Sequence, residues 1–302
     1  MTSPLTFVSW NFENNGKNDP DRRRKGDEKV KSLKPDIVFR QEMWDAADHG
    51  DQIFSEAKQT LEMQGKLGKD SCTAIFFNPD KFVIVRDWEK SRGPVWVLPP
   101  TALTMRYLPA GPDALPLVMV SYHLNYGSPT QRAIEAEWLT TWADKGWQAA
   151  NEQQVTLPAL MAGDNNSYPA PGPGDLALPV LEKIKNRPHR LHRSVRGSDG
   201  TRRMDVEPDD VLRTAGLEDI ARHWADQGHE TAVARTVNAS PTHGPDSRVD
   251  RVYATPELLP ALTGVEVIEV EDLSDHHIVR FTLDPDGLID ILQTAAAPAR
   301  AS

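Results

Sequence analysis

Short apolar segments alternate with amphipathic segments along most of the chain. β-Prone apolar runs predict strands at residues 5–10, 36–41, 72–78, 81–88, 95–98, 102–108, 117–122, 157–162, 247–255, 265–270 and 277–283. Helical spacing predicts helices at residues 22–33, 53–63, 131–147, 177–185 and 208–217. Strands and helices alternate in some stretches, whereas strands cluster in others. This arrangement favours an α/β (α+β) fold with two packed sheets and helices outside them.

The longest predicted helix, residues 131–147, places Ile134, Trp138 and Trp142 on one stripe. We interpret Trp138, Trp142 and Trp147 as core and helix packing rather than as platforms for base stacking. The sequence has no internal repeat and no clean linker, so we predict a single domain over residues 1–283. An Ala/Pro-rich, low-complexity tail follows at 284–302, and we expect it to be frayed.

Composition narrows the class of protein. The chain has 302 residues and a formal net charge of −10, which argues against a protein that coats nucleic acid through charge alone. A single cysteine, Cys72, excludes an intramolecular disulfide and a cysteine-rich zinc site. The N-terminus lacks a signal-peptide pattern, and no segment has the apolar length of a membrane span. We therefore expect a cytoplasmic monomer without a membrane span.

Polar residues follow several of the predicted strands at the point where each strand ends. They are Asn11, Gln41-Glu42, His123, Asp164-Asn165-Asn166 and Ser274-Asp275-His276, with Asp250 inside a further short apolar stretch. Strand ends that point the same way gather such groups into one cleft. Carboxylate oxygens are suited to Mg²⁺ or Mn²⁺, and histidines transfer protons or stabilise charge near neutral pH.

Each of these segments also has a simpler interpretation. Asp164 and the asparagines after it are typical of a turn, and Asp250 is nearly as well explained by a salt bridge with Arg251. The histidine pair 276–277 is also compatible with an exposed surface. Successive residues of a strand face opposite sides of the sheet, so an inward-facing His276 leaves His277 facing the other side. We therefore do not assign His277 to catalysis.

Six short motifs, in this order, resemble those of the endonuclease/exonuclease/phosphatase superfamily, which contains the DNase I-like enzymes. They are SWN at 9–11, QE at 41–42, SYHLN at 121–125, GDNN at 163–166, DRVY at 250–253 and SDHH at 274–277. Each motif alone is weak, but together they extend over nearly the whole chain. The resemblance implies a two-sheet sandwich flanked by helices, the DNase I-like four-layer sandwich, with an active site along one edge.

The resemblance also implies a divalent cation, Mg²⁺ or Mn²⁺. Glu42 would be the principal metal ligand, with Asn11 beside it. Asp275 would complete the network of metal and water.

The remaining motif residues acquire catalytic roles from the same resemblance. Asp164 would orient or deprotonate the attacking water, and Asn166 would hold the phosphate or the nucleophile. His276 would contact the scissile phosphate with Asp250 as its carboxylate partner. His123 would be a second histidine on the phosphate side, although the sequence supplies no carboxylate partner for it.

Three arginines are candidates for substrate binding. Period-2 geometry puts Arg40 on the strand face of Glu42, where it would reach a phosphate or pair with a buried carboxylate. Arg92 lies in a segment similar to one in the family's nucleases, except that Gly93 replaces a glutamate. Arg190 belongs to a basic stretch, 183–203, that is either a solvated loop or a loop that touches a phosphate backbone.

These inferences predict a metal-dependent phosphoesterase that hydrolyses phosphodiester bonds, acting as a nuclease on DNA. The alternative is a phosphatase or phosphodiesterase acting on a small phosphorylated metabolite, because a small ligand needs no long basic track. A binding protein with a degenerate site is a third possibility, against which the intact motif residues argue.

Overall fold

The computed structural model describes residues 3–70, 72–88, 95–150, 152–172, 174–240, 244–270 and 272–294. The strands are β1 (Leu5–Asn11), β2 (Ile37–Gln41), β3 (Gln64–Leu67), β4 (Thr73–Phe77), β5 (Phe82–Asp87), β6 (Thr101–Tyr107), β7 (Leu117–His123), β8 (Gly146–Gln148), β9 (Gln154–Thr156), β10 (Ala159–Asp164), β11 (Ser194–Arg196), β12 (Arg202–Met204), β13 (Glu218–Asp219), β14 (Asp250–Ala254), β15 (Leu262–Ile268) and β16 (Ile278–Leu283). The helices are α1 (Asn14–Lys17), α2 (Pro20–Ser32), α3 (Asp48–Leu61), α4 (Pro129–Thr140), α5 (Arg187–His192), α6 (Glu207–Thr214), α7 (Ile220–Asp226) and α8 (Pro285–Thr294). Short 3₁₀ turns occur at Leu108–Ala110, Leu181–Lys183, Glu230–Val233 and Pro256–Ala261.

Within these ranges, twelve of the strands form two mixed six-stranded sheets, and the pairs β8/β9 and β11/β12 form two separate two-stranded sheets. The strand orders of the six-stranded sheets are β15-β16-β1-β2-β4-β3 and β13-β14-β10-β7-β6-β5. The pairs β1/β2 and β7/β10 are parallel, whereas the other pairs in these two sheets are antiparallel. Parallel pairing places Asn11 beside Gln41 in one sheet and His123 beside Asp164 in the other. Each sheet therefore presents two motif-bearing strand ends at one edge.

Alternation along the strands divides the apolar residues between two layers. In β1, Phe7 belongs to the large core cluster between the sheets, which also contains Val120 and Met161 of the second sheet. Its neighbour Val8 belongs to a second cluster with Val30 of α2, on the outer face of the first sheet. Because successive strand residues face opposite sides, one apolar strand contributes to both layers. The observed two sheets flanked by helices confirm the predicted fold class.

Several predicted elements end elsewhere or do not form. Residues 95–98 form a turn and bends rather than a strand, and 177–185 contain only the 3₁₀ turn at Leu181–Lys183. The helix predicted at 131–147 stops at Thr140, and the chain continues into the β8/β9 hairpin. Apolar spacing alone did not reveal this stop, because the following turn contains neither proline nor glycine until residue 146.

The buried face of α4 also differs from the predicted stripe. Ile134 is 40% exposed, while Arg132, Glu135, Ala136 and Leu139 are buried. The helix is rotated because Arg132 and Glu135 make polar contacts inside the protein. Trp142 is buried and belongs to the core, in agreement with the predicted packing role.

The prediction of a frayed tail from residue 284 is wrong for its first part. Residues Pro285–Thr294 form α8, whose Leu288 and Leu292 are fully buried against the core cluster. These two leucines are four residues apart and therefore lie on one helix face. The low-complexity composition of the last residues, 295–302, concealed this short amphipathic segment.

The part of the chain described here contains no helix that is both long enough and apolar enough to cross a membrane.

Candidate active site

The ends of β1, β2, β7 and β10 border one cleft with a volume of about 360 Å³. Its lining residues are Glu42, Trp44, Val97, Leu98, His123, Asn125, Tyr126, Asp164, Asn166, His189, His192, Arg193, Asp275 and His276. Asn11 and Asp250 are buried and bond to residues of this lining. Four of the six motif segments therefore contribute residues to the cleft lining. The other two, at 9–11 and 250–253, contribute buried residues that bond to the lining.

Asn11 connects the carboxylates of the two sheets. Its Nδ2 donates to Oε1 of Glu42 at 3.3 Å and to Oδ2 of Asp164 at 3.2 Å. Carboxylates only accept hydrogen bonds, and only the nitrogen of the Asn11 amide can donate them. The nitrogen therefore faces the two carboxylates, which also fixes the direction of the oxygen Oδ1. Its Oδ1 is buried and has no hydrogen-bond partner among the described residues. A buried acceptor without a donor is costly unless another group satisfies it.

Glu42 has an unusual backbone conformation. Its φ of 58° lies in the left-handed region, which is uncommon for residues other than glycine. The backbone N–H of Asn14 donates to its Oε2 at 2.6 Å and helps to hold the carboxylate in place. Strain of this kind concentrates at functional sites.

His276 is held by Asp250 from one side. Its Nδ1 lies 2.8 Å from Oδ2 of Asp250, and its backbone carbonyl accepts a hydrogen bond from Nε1 of Trp10 at 2.9 Å. Burial by itself would lower the pKa of His276, but the carboxylates of Asp250, Asp164 and Asp275 raise it to about 10. The predicted carboxylate–histidine contact is therefore present, and the imidazole carries a positive charge at neutral pH. Arg251 turns away from Asp250 to bond Tyr253 and Ser167, so the alternative local salt bridge does not form.

His123 lies between two carboxylates, for which the sequence offered no candidate. Its Nε2 is 3.7 Å from Oε1 of Glu42, 3.6 Å from Oδ2 of Asp164 and 3.4 Å from Nδ2 of Asn166. Burial lowers its pKa, whereas Cys72, Asp164 and Glu42 raise it, and the result is about 9. Nδ1 makes no hydrogen bond within the described ranges. The carboxylates of Glu42 and Asp164 therefore favour the protonated form of His123 from the side of the cleft.

Asp164 and Asn166 form a turn whose side chains face the cleft. The N–H of Asn166 donates to Oδ1 of Asp164 at 2.6 Å, and Asn166 has a φ of 50°. Nδ2 of Asn166 donates to the carbonyl of Leu124 at 2.9 Å. Burial by itself would raise the pKa of Asp164. The positive charges of His276, His123 and Arg193 outweigh this effect, so the pKa is lowered from its ordinary value. The turn interpretation is therefore confirmed, and the same turn places Asp164 and Asn166 in the lining of the cleft.

His277 and Asp275 point in different directions. His277 is buried away from the cleft, where Val270 N–H donates to its Nδ1 at 3.3 Å and Asn238 Oδ1 lies 3.1 Å from Nε2. Asp275 lines the cleft, and its Oδ1 lies 3.5 Å from the Ser274 hydroxyl. Within the described ranges, no hydrogen bond joins Asp275 to Asn11.

The structure corrects two of the substrate-binding arginines. Arg40 is 1% exposed, donates to Oδ1 of Asp27 at 2.8 Å and packs over the ring of Trp10. It therefore satisfies a buried carboxylate, the alternative function considered from the sequence. The alternation argument failed because β2 ends at Gln41, and the left-handed conformation of Glu42 breaks the period.

Arg190 lies outside the cleft lining, and its Nη1 donates to the carbonyl of Ile184 at 3.3 Å. Arg193, three residues later, lines the cleft instead. The basic composition of residues 183–203 predicted an arginine near the substrate. Which arginine lines the cleft depends on the orientation of α5, which the sequence pattern did not reveal. The same helix brings His189 and His192 to the cleft. Arg92 lies outside the described residues.

The structure resembles several solved proteins over 93% of this chain and 98–99% of theirs. They include D. rerio TDP2 humanized by 14 mutations (16% identity, TM-score 0.59), an AP endonuclease from Archaeoglobus fulgidus (15%, 0.58) and the Neisseria 3′ phosphatase NExo bound to a product DNA hairpin (16%, 0.58). At these identities the likeness establishes the fold. No curated protein matches the sequence significantly.

A sequence profile described as Endonuclease/Exonuclease/phosphatase family matches residues 8–276. The match includes five of the six motif segments in full and residues 274–276 of the sixth, together with every cleft residue discussed above. Members of this family are metal-dependent phosphoester hydrolases. The chain therefore belongs to the Endonuclease/Exonuclease/phosphatase family.

Proposed function

We propose that this protein is a Mg²⁺- or Mn²⁺-dependent phosphodiesterase that hydrolyses DNA. The main supporting observation is that His123, Asp164 and His276 line a single cleft, with His123 Nε2 3.6 Å from Asp164 and His276 held by Asp250 at 2.8 Å. A reaction on a phosphate anion requires both a base for water and positive charge for the developing oxyanion.

The donor set fits a hard divalent cation. Asn11 Oδ1 is an unsatisfied buried oxygen next to the carboxylate of Glu42, and oxygen ligands of this kind suit Mg²⁺ or Mn²⁺. Asp164, Asp250 and His276 also offer ligand atoms within 4.8 Å of one another. Because His276 Nδ1 already bonds Asp250, we assign that trio to catalysis and Asn11 with Glu42 to the metal. When bound, the cation supplies positive charge that polarises the phosphoryl oxygens.

The side chains then divide the remaining work. Asp164 accepts a proton from the attacking water, whose oxygen bonds to phosphorus as the bond to the leaving oxygen breaks. Asn166 orients that water or a phosphoryl oxygen through its amide. His276, oriented by Asp250, hydrogen-bonds a phosphoryl oxygen, and His123 stabilises negative charge from the other side. Asp275 binds water at the edge of the metal site.

DNA is the favoured substrate because several proteins of the same fold are described as acting on it. D. rerio TDP2 has been captured with a single-strand DNA product and NExo with a DNA hairpin product. A second candidate is a small phosphorylated metabolite. The cleft volume of about 360 Å³ suits one small ligand, and the net charge of −10 provides no long basic track.

The test is incubation of the purified protein with linear and plasmid DNA, single-stranded DNA and a panel of small phosphate esters, with Mg²⁺, Mn²⁺ or EDTA. We expect cleavage of DNA with either metal and none with EDTA. Turnover of small esters without DNA cleavage would favour the second candidate. Absence of hydrolysis by folded protein with both metals would contradict the proposal.

The Asp164→Asn variant tests the site assignment. It keeps the shape of the side chain and can still accept the hydrogen bond from the N–H of Asn166, but it removes the base, so we expect activity to fall about 10²- to 10⁴-fold. A variant that retains full activity would refute this site assignment.

A further inference from the structure

Arg193 is a buried cation on the wall of the cleft, and among the described residues no carboxylate pairs with it. It is 7% exposed, and in the described part of the chain its Nη1 is buried without a hydrogen bond. Isolated buried charges are unfavourable, so proteins pair them or keep them for a ligand.

The surroundings of Arg193 indicate the charge of that ligand. The group is close enough to Asp164 and to Arg132 to shift the pKa of each. However, Arg132 is already bonded to Asp205, and Asp164 is occupied by Asn11 and Asn166. The guanidinium, which belongs to the lining of the cleft, therefore retains unused donor capacity, and guanidinium groups bind phosphate oxygens with favourable planar geometry.

The same wall carries an exposed aromatic ring. Tyr126 is 65% exposed and packs edge-on against His192 with the ring centroids 6.1 Å apart. Proteins that bind single-stranded nucleic acid combine exposed aromatic rings, on which the bases stack, with basic groups that contact the phosphate backbone. A substrate with one isolated phosphate would leave this wall unused.

We infer that Arg193 binds a second phosphate of the substrate, adjacent to the one being hydrolysed, and so selects a polynucleotide strand over an isolated phosphodiester. This inference rests on the proposed function and specifies its substrate class. The reacting phosphate remains with His123, His276 and the metal ligands, whereas Arg193 fixes the register of the neighbouring nucleotide.

The test uses short single-stranded DNA in which one linkage at a time is a neutral methylphosphonate, with cleavage sites mapped from the products. For the native protein, a neutral linkage next to the cleaved one should lower kcat/KM about 10-fold, the effect of losing one charge-assisted hydrogen bond. In Arg193→Gln this discrimination should fall to about 1-fold, because the side chain no longer distinguishes charge. Arg190→Gln is the matched control and should retain the native discrimination, since Arg190 lies outside the cleft lining.

Two measurements separate this inference from the proposed function and from a structural role. Binding of a fluorescein-labelled oligonucleotide in EDTA should weaken in Arg193→Gln, even if no DNA is hydrolysed under any condition. The Tm of that variant should equal or exceed the native value, because an unpaired buried charge is removed. The inference is overturned if the variant keeps the native methylphosphonate discrimination, binds the oligonucleotide as tightly, or loses more than about 4 °C in Tm.

Discussion

At the scale of single residues, the cleft depends on charges that are held in unusual environments. His123 and His276 are buried, yet both pKa values are raised above that of a free histidine, for His123 by Cys72 and two carboxylates and for His276 by carboxylates alone. Asp164 stays ionised beside them, although burial opposes its charge. Each group keeps its charge because the others are present, so single substitutions should affect more than the residue that is changed.

The first prediction concerns Asp250. Asp250→Asn removes the negative charge beside Nδ1 of His276 and should lower both its pKa and its ability to stabilise the oxyanion. We expect kcat of the folded variant to fall about 10²- to 10⁴-fold. Stability should also fall, because the buried imidazole of His276 loses its carboxylate partner. Steady-state kinetics with saturating metal measure the effect on kcat, and Asp290→Asn, at an exposed position, is the control. An unchanged kcat would remove Asp250 from the site.

The second prediction concerns pH and the metal-free protein. His276 and His123 have folded pKa values of about 10 and about 9, above the unfolded value of about 6.5. Their protonation therefore stabilises the fold fully below the unfolded pKa, and this contribution is lost as pH rises through the folded values. In EDTA, the free energy of unfolding should decline between about pH 7 and pH 10. Urea titrations measure it, and a His276→Gln variant should show a shallower decline; identical slopes would contradict the assignment.

At the scale of secondary-structure elements, one buried arginine fastens the walls of the cleft to α4. Arg132 is fully buried, and its Nε donates to Oδ2 of Asp205 at 2.8 Å. Its Nη1 and Nη2 donate to the carbonyls of Asn125 and His192 at 2.6 and 2.7 Å. A single helix therefore positions both the segment after β7 and the wall that carries Arg193.

A third prediction follows for this ion pair. Asp205→Ala leaves Arg132 as an uncompensated buried charge and should reduce the free energy of unfolding by about 3–5 kcal/mol. Urea unfolding followed by circular dichroism measures the loss, with the exposed Glu137→Ala on α4 as the control. A loss no greater than that of the control would show that the pair does not stabilise the cleft walls.

The fourth prediction concerns α8, which sequence composition had concealed. Leu288→Ala removes a fully buried side chain and should destabilise the protein by about 2–5 kcal/mol. Asp290→Ala on the exposed face of the same helix should change stability by less than about 0.5 kcal/mol. Equal effects in thermal or urea unfolding would mean that the helix does not pack on the core.

At the scale of the whole molecule, an acidic protein must bind an acidic substrate. The net charge of −10 repels nucleic acid at long range, so attraction has to come from the cleft itself. Arg193, His123 and His276 line this cleft, and a divalent cation held by Glu42 and Asn11 would add positive charge there. Binding through such a small patch should involve few phosphates.

The fifth prediction is therefore a shallow dependence on salt. With two to four phosphate contacts on single-stranded DNA, a plot of log Kd against log salt concentration should have a slope of about 1.5–3 in magnitude. Arg193→Gln should reduce that magnitude by about 1. Fluorescence anisotropy in EDTA, at NaCl concentrations from about 50 to 200 mM, measures the slope for the native protein and for the variant. A steep slope for the native protein would indicate a long basic track elsewhere on its surface.

The sequence by itself determined the fold class and the order of the motif segments. Both depend on local information: period-2 alternation places Phe7 and Val8 in different layers, and Glu42, Asp164 and His276 each belong to a short polar segment at a strand boundary. Parallel pairing then brings strand ends together in a predictable way. The contact between His276 and Asp250 also followed from the resemblance to the family.

Only the tertiary structure decided which charged residues face the cleft. Arg40 turned to Asp27 because its strand ends one residue before Glu42, and Arg193 rather than Arg190 faces inward because of the turn of α5. The burial of α8 likewise depends on a core surface assembled from distant segments. Periodicity describes neighbours along one element, whereas the partner of a long polar side chain is set by elements far apart in sequence, and this information is absent from local pattern.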